Sequence, residues 1–202
     1  MKFRCLLPGV CVLLLAGCHS HPLTDYRPLD QIGMWSSDIE LLKGLHLTDD
    51  EVAQVSKAKQ AGVSDDACVA LVTDARAHQH PFMSGDSAAR LAGAGFSEKQ
   101  MLDIARVDKL DSISVDAVTL KLIGLSDSTV DLILRRHIAG LPVMDGPEIG
   151  ALKNTGLTER QILERINTGM TDAQAEKEIH ARVAARNHAN TSFVRVRGRK
   201  PR

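Results

Sequence analysis

A three-residue corner made of glycine, an apolar residue and Ser or Thr recurs along this chain. It constrains the fold more than any other feature. In the stretch 117–134 the corner is Gly124-Leu125-Ser126. Ala117 and Leu120 precede it, and Val130, Ile133 and Leu134 follow it, at helical spacing. Glycine takes the left-handed backbone that ends a helix without a side-chain clash. The serine can accept a hydrogen bond from the first free N–H groups of the next helix, and Asp127 favours that helix's positive end. Two short helices meeting at a corner are the expected product.

The corner repeats as Gly62-Val63-Ser64, Gly95-Phe96-Ser97 and Gly156-Leu157-Thr158. A shifted copy is His46-Leu47-Thr48 and a partial one is Gly169-Met170-Thr171. The glycines at 62, 95, 124 and 156 are 33, 29 and 32 residues apart, a period typical of stacked helical hairpins. Helices this short are marginal alone, and stacking on neighbours is what stabilises them. The expected fold is therefore all-α, an α-solenoid-like array of short helical hairpins over residues 37–190. Ser84 or Asp86 is expected to cap the first helix of the 82–110 repeat, Pro147 to sit in a first turn, and residues 171–190 to form a longer final helix. Aromatic residues make up 3% of the chain, so the core must be aliphatic and alanine-rich. No strand alternation of useful length appears before residue 191.

The first eighteen residues have a different character. Lys2 and Arg4 precede an apolar run from Leu6 to Ala16, too short for a permanent membrane span, which closes with Leu15-Ala16-Gly17-Cys18. This segment resembles the bacterial lipoprotein signal, whose lipobox is a Leu, two small residues and a cysteine. The resemblance implies cleavage between Gly17 and Cys18, a diacylglyceryl group on the Cys18 thiol and an acyl group on its new amine. Residues 1–17 would then be a signal peptide and Cys18 the lipidation site. Two or more acyl chains hold a protein firmly on a bilayer, where one binds marginally. His19 stands where Asp, in that family, favours inner-membrane retention, so the expected location is the periplasmic face of the outer membrane. Residues 18–36, with Pro22 and Pro28, are expected to be a disordered tether. Trp35, the only tryptophan, is expected to seal the open end of the array, with membrane contact as the alternative.

The net charge of zero hides an asymmetry. Residues 177–202 hold eight Lys/Arg against one acidic residue, Glu178, whereas residues 18–176 hold fifteen Lys/Arg against twenty-four Asp/Glu. The basic tail over 191–202 is expected to be a solvated, disordered end, with contact to anionic lipid headgroups, folding onto the acidic body or nucleic-acid binding as the alternatives, and the acidic body repels polyanions.

Candidate chemistry is sparse. Once Cys5 and Cys11 leave with the signal and Cys18 is lipidated, only Cys68 remains, on an apolar stripe, where a small buried hydrophobe is expected. His78 and His80, with His19 or His21, are the best metal candidates, but a spacing of two without a placed third ligand is a weak signal. His46 and His137 lie beside apolar runs and are expected to be packed or surface residues. The carboxylates of Asp49-Asp50-Glu51 and Asp65-Asp66 fall in first helical turns, where they serve helix ends. No phosphate loop, nucleophile elbow or paired metal-ligand spacing is present, so no metal and no cofactor beyond the covalent lipid is expected.

Two repeat resemblances bear on function. Residues 113–166 have the length and rhythm of tandem helix-hairpin-helix modules, which bind DNA backbones through Gly-apolar-Gly corners whose second glycine amide faces a phosphate. Here Ser126, Thr158 and Ser97 replace that glycine. Residues 152–162, from Leu152-Lys153 through Gly156-Leu157-Thr158 to Ile162, resemble uncharacterised helical repeats of bacterial envelope proteins with the form Leu-Lys-x-x-Gly-apolar-Ser/Thr-x-x-x-Ile. That resemblance covers most of residues 82–168 and implies no activity. The expected protein is a membrane-anchored lipoprotein acting as an envelope scaffold or protein-interaction module with an envelope protein partner, and no motif demands an enzyme. A helix-hairpin-helix-like, non-specific DNA-binding protein is the second reading and a metal-dependent enzyme the third.

Overall fold

A computed structural model describes residues 23–197, and among these every regular element is a helix. The order is α1 (Arg27–Gln31), α2 (Ser36–Gly44), α3 (Asp49–Gln60), α4 (Asp65–Ala77), α5 (Gly85–Gly93), α6 (Glu98–Ala105), α7 (Leu110–Leu122), α8 (Asp127–Ile138), α9 (Gly146–Asn154), α10 (Glu159–Asn167) and α11 (Asp172–Arg197). The odd-numbered helices stack in sequence order as one layer, α1 on α3, α3 on α5, and so on to α9 on α11. The even-numbered helices form a second layer, in which α2 packs on α4 and α4 on α6. The core runs between the layers as a continuous aliphatic seam that includes Leu42, Val55, Leu71, Leu91, Ile104, Leu120, Ile133, Leu152 and Ile162.

A residue with positive φ stands at each of the ten corners: glycine at seven, and His46, Gln79 and Asp108 at the others. At the central corner Gly124 has φ +72°. The Leu125 N–H reaches back to the Leu120 carbonyl at 3.4 Å, which closes the end of α7. The apolar residue of the corner then turns inward, as Val63, Phe96, Leu125 and Leu157 all do. Side chains of Ser64, Ser97, Ser126 and Thr158 each accept a hydrogen bond from a backbone N–H in the first turn of the helix they precede. The expected cap at Ser84 differs. Ser84 makes no side-chain cap bond; its Oγ and that of Ser87 instead donate to the Asp111 carboxylate of α7, at 2.9 and 2.6 Å.

Repeats are held in register by contacts about thirty residues apart. Glu98 accepts from the Ser64 N–H at 2.6 Å, Asp65 from the Trp35 N–H at 2.9 Å, and Glu159 from the Ser126 N–H at 3.2 Å. In each case the first residue of one even helix caps the backbone of the even helix before it. The lysine of the Leu-Lys-x-x-Gly pattern does the complementary task. Lys153 Nζ donates to the Ile123 and Gly124 carbonyls at 2.6 Å, and Lys121 Nζ to the Gly95 carbonyl at 3.1 Å. A cation on the free carbonyls at a helix end also complements the helix dipole.

The odd layer approaches more closely than side chains allow. A Cβ at Gly85 would lie 2.0 Å from the Gln54 carbonyl oxygen of α3, and one at Gly146 3.2 Å from the Asp116 carbonyl oxygen of α7. These glycines are contact points between helices, a role with no local signature.

Residues 23–36, expected to belong to the tether, are folded. Leu29 and Met34 are buried, and α1 packs on α3. It is this short helix, and not Trp35, that seals the open end. Asp65 pins the Trp35 backbone while the side chain stays 75% exposed. At the other end α11 continues to Arg197, so much of the expected basic tail is helical, and residues 198–202 lie outside the described residues.

Candidate interaction surface

The outer layer loosens beyond α6, and neither α6 and α8 nor α8 and α10 pack as closely as α2 and α4 do. α6 and α8 are consecutive in the even layer, yet they do not close on each other as α4 and α6 do. Between them lies an open trough of about 620 Å³. Its apolar lining comes from Ile104 and Val107 on one side and Leu134 and Ile138 on the other.

The rim is charged and internally paired. On α6 and its corner, Asp103 meets Lys99 at 2.7 Å and Arg106 at 3.1 Å. The Lys99 hydrogen bond, opposed by burial, holds the Asp103 carboxyl below the usual carboxylate range. On α8, Asp131 meets Arg135 at 2.8 Å. Gln100 Nε2 donates across the trough to Asp131 at 3.5 Å, at the limit of a hydrogen bond.

The α6–α8 junction also differs in its polar ties. By the pattern at the other junctions, Asp127 at the start of α8 would cap the Ser97 N–H. Instead Gln100 takes that N–H at 3.0 Å, and Asp127 turns to Lys121 at 3.3 Å. Lys121 is in turn held 4.6 Å from the centre of the Phe96 ring, a cation–π contact. The α6–α8 junction thus lacks the acid-to-amide tie that Asp65, Glu98 and Glu159 supply elsewhere.

A second unpartnered face lies on α7. Leu110, Ile113, Ala117 and Leu120 face the core, but Val115 and Leu122, seven residues apart on the opposite side, are exposed. A helix that is apolar all round is ordinarily buried.

The sequence candidates fall as follows. Gly17 and Cys18 lie outside the described residues, as do His19 and His21. Cys68 is fully buried, and burial pushes its thiol up to about 12, so it is a packing residue with almost no thiolate. The His78 and His80 rings stack nearly parallel with centroids 6.2 Å apart. His80 faces an acceptor at each ring nitrogen, the Pro81 carbonyl at 2.9 Å and Asp108 at 2.8 Å. The Pro81 carbonyl first, and Asp108 second, raise its pKa. Two acceptors favour the doubly protonated ring, which has no lone pair for a metal. His46 is exposed at its corner. His137 is half-buried, and burial lowers its pKa against the opposing pull of Asp116 and Asp145.

Among the described residues one grouping has three carboxylates close enough to share an ion: Asp145, Glu148 and Asp172. Two neighbouring carboxylates already have backbone partners there. Asp172 accepts from the Asp145 N–H at 3.0 Å and Asp116 from the Gly146 N–H at 3.3 Å, both at the start of α9. Burial, and then the charges of Asp172 and Asp116, raise the Asp145 pKa.

The amides that would face a phosphate in a helix-hairpin-helix module are all occupied. Ser64 N–H is bonded to Glu98, Ser97 N–H to Gln100, Ser126 N–H to Glu159 and Thr158 N–H to Gln161. Two of those partners are carboxylates, which repel a phosphate as well as displacing it.

A buried polar centre of several partners was not legible in the sequence. Glu51 is 1% exposed and pairs with Arg76 at 2.6 Å. It also accepts from the Thr48 N–H at 2.9 Å and the Phe82 N–H at 2.8 Å. Arg76 donates onward to the Leu45 and His80 carbonyls. Burial raises the Glu51 pKa, but Arg76 and the two amides outweigh it and hold the carboxyl below its usual range. Glu51 was legible as the third residue of the Thr48 capping box; its partner 25 residues on was not.

No protein-family model, no curated protein and no solved structure matches this chain.

Proposed function

We propose that this protein is a lipid-anchored adaptor of the bacterial envelope, which holds an amphipathic segment of a partner protein in the trough between α6 and α8. The observation that carries the reading is the trough itself. The outer layer packs closely at α2–α4 and α4–α6 but not beyond α6, and between α6 and α8 it leaves a trough floored by the buried Ile104 and Leu134, edged by the half-buried Val107 and Ile138 and framed by charges of both signs. An amphipathic helix places apolar anchors three and four residues apart into such a groove and sets its polar residues against the rim.

The anchor follows from Leu15-Ala16-Gly17-Cys18, with residues 1–17 removed and Cys18 carrying lipid. No described helix is long and apolar enough to cross a membrane. The outer membrane, periplasmic side, is the proposed location, because His19 and not Asp follows the cysteine. No catalytic step is part of the proposal. The buried thiol, the doubly bonded His80 and the capped amides each have a structural task.

A photo-crosslinking amino acid at Val107, in the trough, tests the proposal in the native cell. A discrete adduct is expected from position 107 and not from Thr73, which is exposed on α4. Equal labelling at both positions, or none at 107 in fully lipidated protein, contradicts it.

A further inference from the structure

We infer that the α1–α2 hairpin is a membrane-docking surface, which lies on the bilayer holding the anchor and stands the helical stack upright from it. The inference rests on the lipid-anchor reading and adds an orientation to it. Only four residues, 19–22, and so five Cα-to-Cα steps, separate Cys18 from the first described residue, Leu23. At about 3.5 Å per residue that segment spans at most about 17 Å. The terminal hairpin therefore cannot leave the vicinity of the headgroups, whatever path the segment takes.

That hairpin carries the side chains such a position calls for. Leu23 is 97% exposed, Trp35 75% and Leu41 57%. Trp35 is held rigidly there. Its N–H is bonded to Asp65, and its carbonyl accepts from the Asp38 and Ile39 N–H groups of α2. The backbone is thus fixed, and the indole that it carries on the terminal hairpin is left largely in water. At a bilayer interface its apolar ring is buried and its N–H stays wet. Leu23 sits beside the Leu47–Asp49 corner, at the opposite end of α2 from Trp35, so the apolar contacts span the hairpin.

Charge selects the kind of bilayer surface. Residues 23–46 hold Asp25, Asp30, Asp38 and Glu40 against Arg27 and Lys43. The hairpin is net acidic, which suits zwitterionic headgroups and not an anionic surface. The orientation also places the basic half of α11. Five helix-to-helix steps of about 8–10 Å separate α11 from α1 along the odd layer. The described part of α11, with Arg182 and Arg186, is then held away from the anchoring bilayer.

Trp35 is its own probe, because the chain has no other tryptophan. The lipidated full-length protein would be reconstituted in phosphatidylcholine vesicles, with and without brominated acyl chains. Docking is expected to shift Trp35 emission to the blue and to quench most of it in brominated vesicles, with no further quenching when anionic lipid is added. The same measurement on Trp35→Leu/Val183→Trp, which moves the indole to an exposed position on α11, should show no quenching. Protein that floats with the vesicles while Trp35 stays unquenched overturns the docking and leaves the anchor intact. Equal quenching at positions 35 and 183 overturns the upright orientation. Protein that carries no lipid and does not float removes the anchor, and the docking with it.

Discussion

Replacing Gly85 with alanine should destabilise the protein, although alanine is the better helix former. Gly85 begins α5 with ordinary helical backbone. Its ideal Cβ would lie 2.0 Å from the Gln54 oxygen, 2.6 Å from the Gln54 carbonyl carbon and 2.7 Å from its Cα. All three are backbone atoms and cannot swing aside. Carbon atoms rest about 3.5–4.0 Å apart, so α3 and α5 must separate by more than about 1 Å. That movement stretches the bond from the Asp86 N–H to Gln54 Oε1, now 3.3 Å, and loosens Ala88 and Leu91 in the seam. Overpacking costs about 1–3 kcal/mol and a lost hydrogen bond about 1 kcal/mol. The expected loss is about 2–4 kcal/mol, or about 4–16 °C in Tm for a chain of this size. Thermal melts of the Cys18→Ser protein, followed by far-ultraviolet circular dichroism, read it directly. Gly44→Ala and Gly93→Ala are the controls: both sites are helical with open space around them, and each should gain up to about 1 kcal/mol. A Gly85→Ala melt at or above the parent would refute the close approach of α3 and α5.

Three further substitution sets probe other parts of the stack. Gly124→Val should cost about 1–2 kcal/mol, because φ +72° resists a β-branched side chain, while Gln79→Gly, at φ +63°, should raise Tm; equal shifts of one sign would contradict the corner geometry. Glu51→Gln should cost about 3 kcal/mol by leaving Arg76 without its counter-charge, and Glu51→Gln/Arg76→Met should recover part of that loss in the same melts. Acid should weaken the docking of α11. Hydrogen bonds from Arg165, opposed by burial and joined by Arg182, lower the Glu178 pKa from 4.5 to about 2. A lowered folded-state pKa means the contribution is whole above 4.5 and disappears as pH falls toward 2. Glu178→Gln should flatten that part of the stability–pH curve, and an unchanged curve would show that the pair does not hold α11.

The helical-hairpin grammar was legible because it is local. A glycine that ends a helix, an apolar residue that turns inward and a hydroxyl that caps the next helix lie within three residues. The corner at His46 was legible through the Leu47-Thr48 that follows it, but those closed by Gln79 and Asp108 escaped because any polar residue can be forced into that backbone by its neighbours. The fold of residues 23–36 escaped for a similar reason. α1 has only five residues, and burial of Leu29 against α3, not helix propensity, holds it. Gly85 and Gly146 read as ordinary glycines until α3 and α7 are placed beside them. At the α6–α8 junction Asp127 pairs with Lys121 while Gln100 takes the Ser97 N–H, a choice between partners on different repeats that the sequence does not show. The lysine of the Leu-Lys-x-x-Gly pattern was visible, but its targets, the carbonyls of the preceding corner, were not.

Intact-mass spectrometry of the protein extracted from its native membranes tests the anchored state most directly. The expected mass is that of residues 18–202 plus a diacylglyceryl group and one further acyl chain. A chain that retains residues 1–17, or that begins at Cys18 with no lipid, would contradict it.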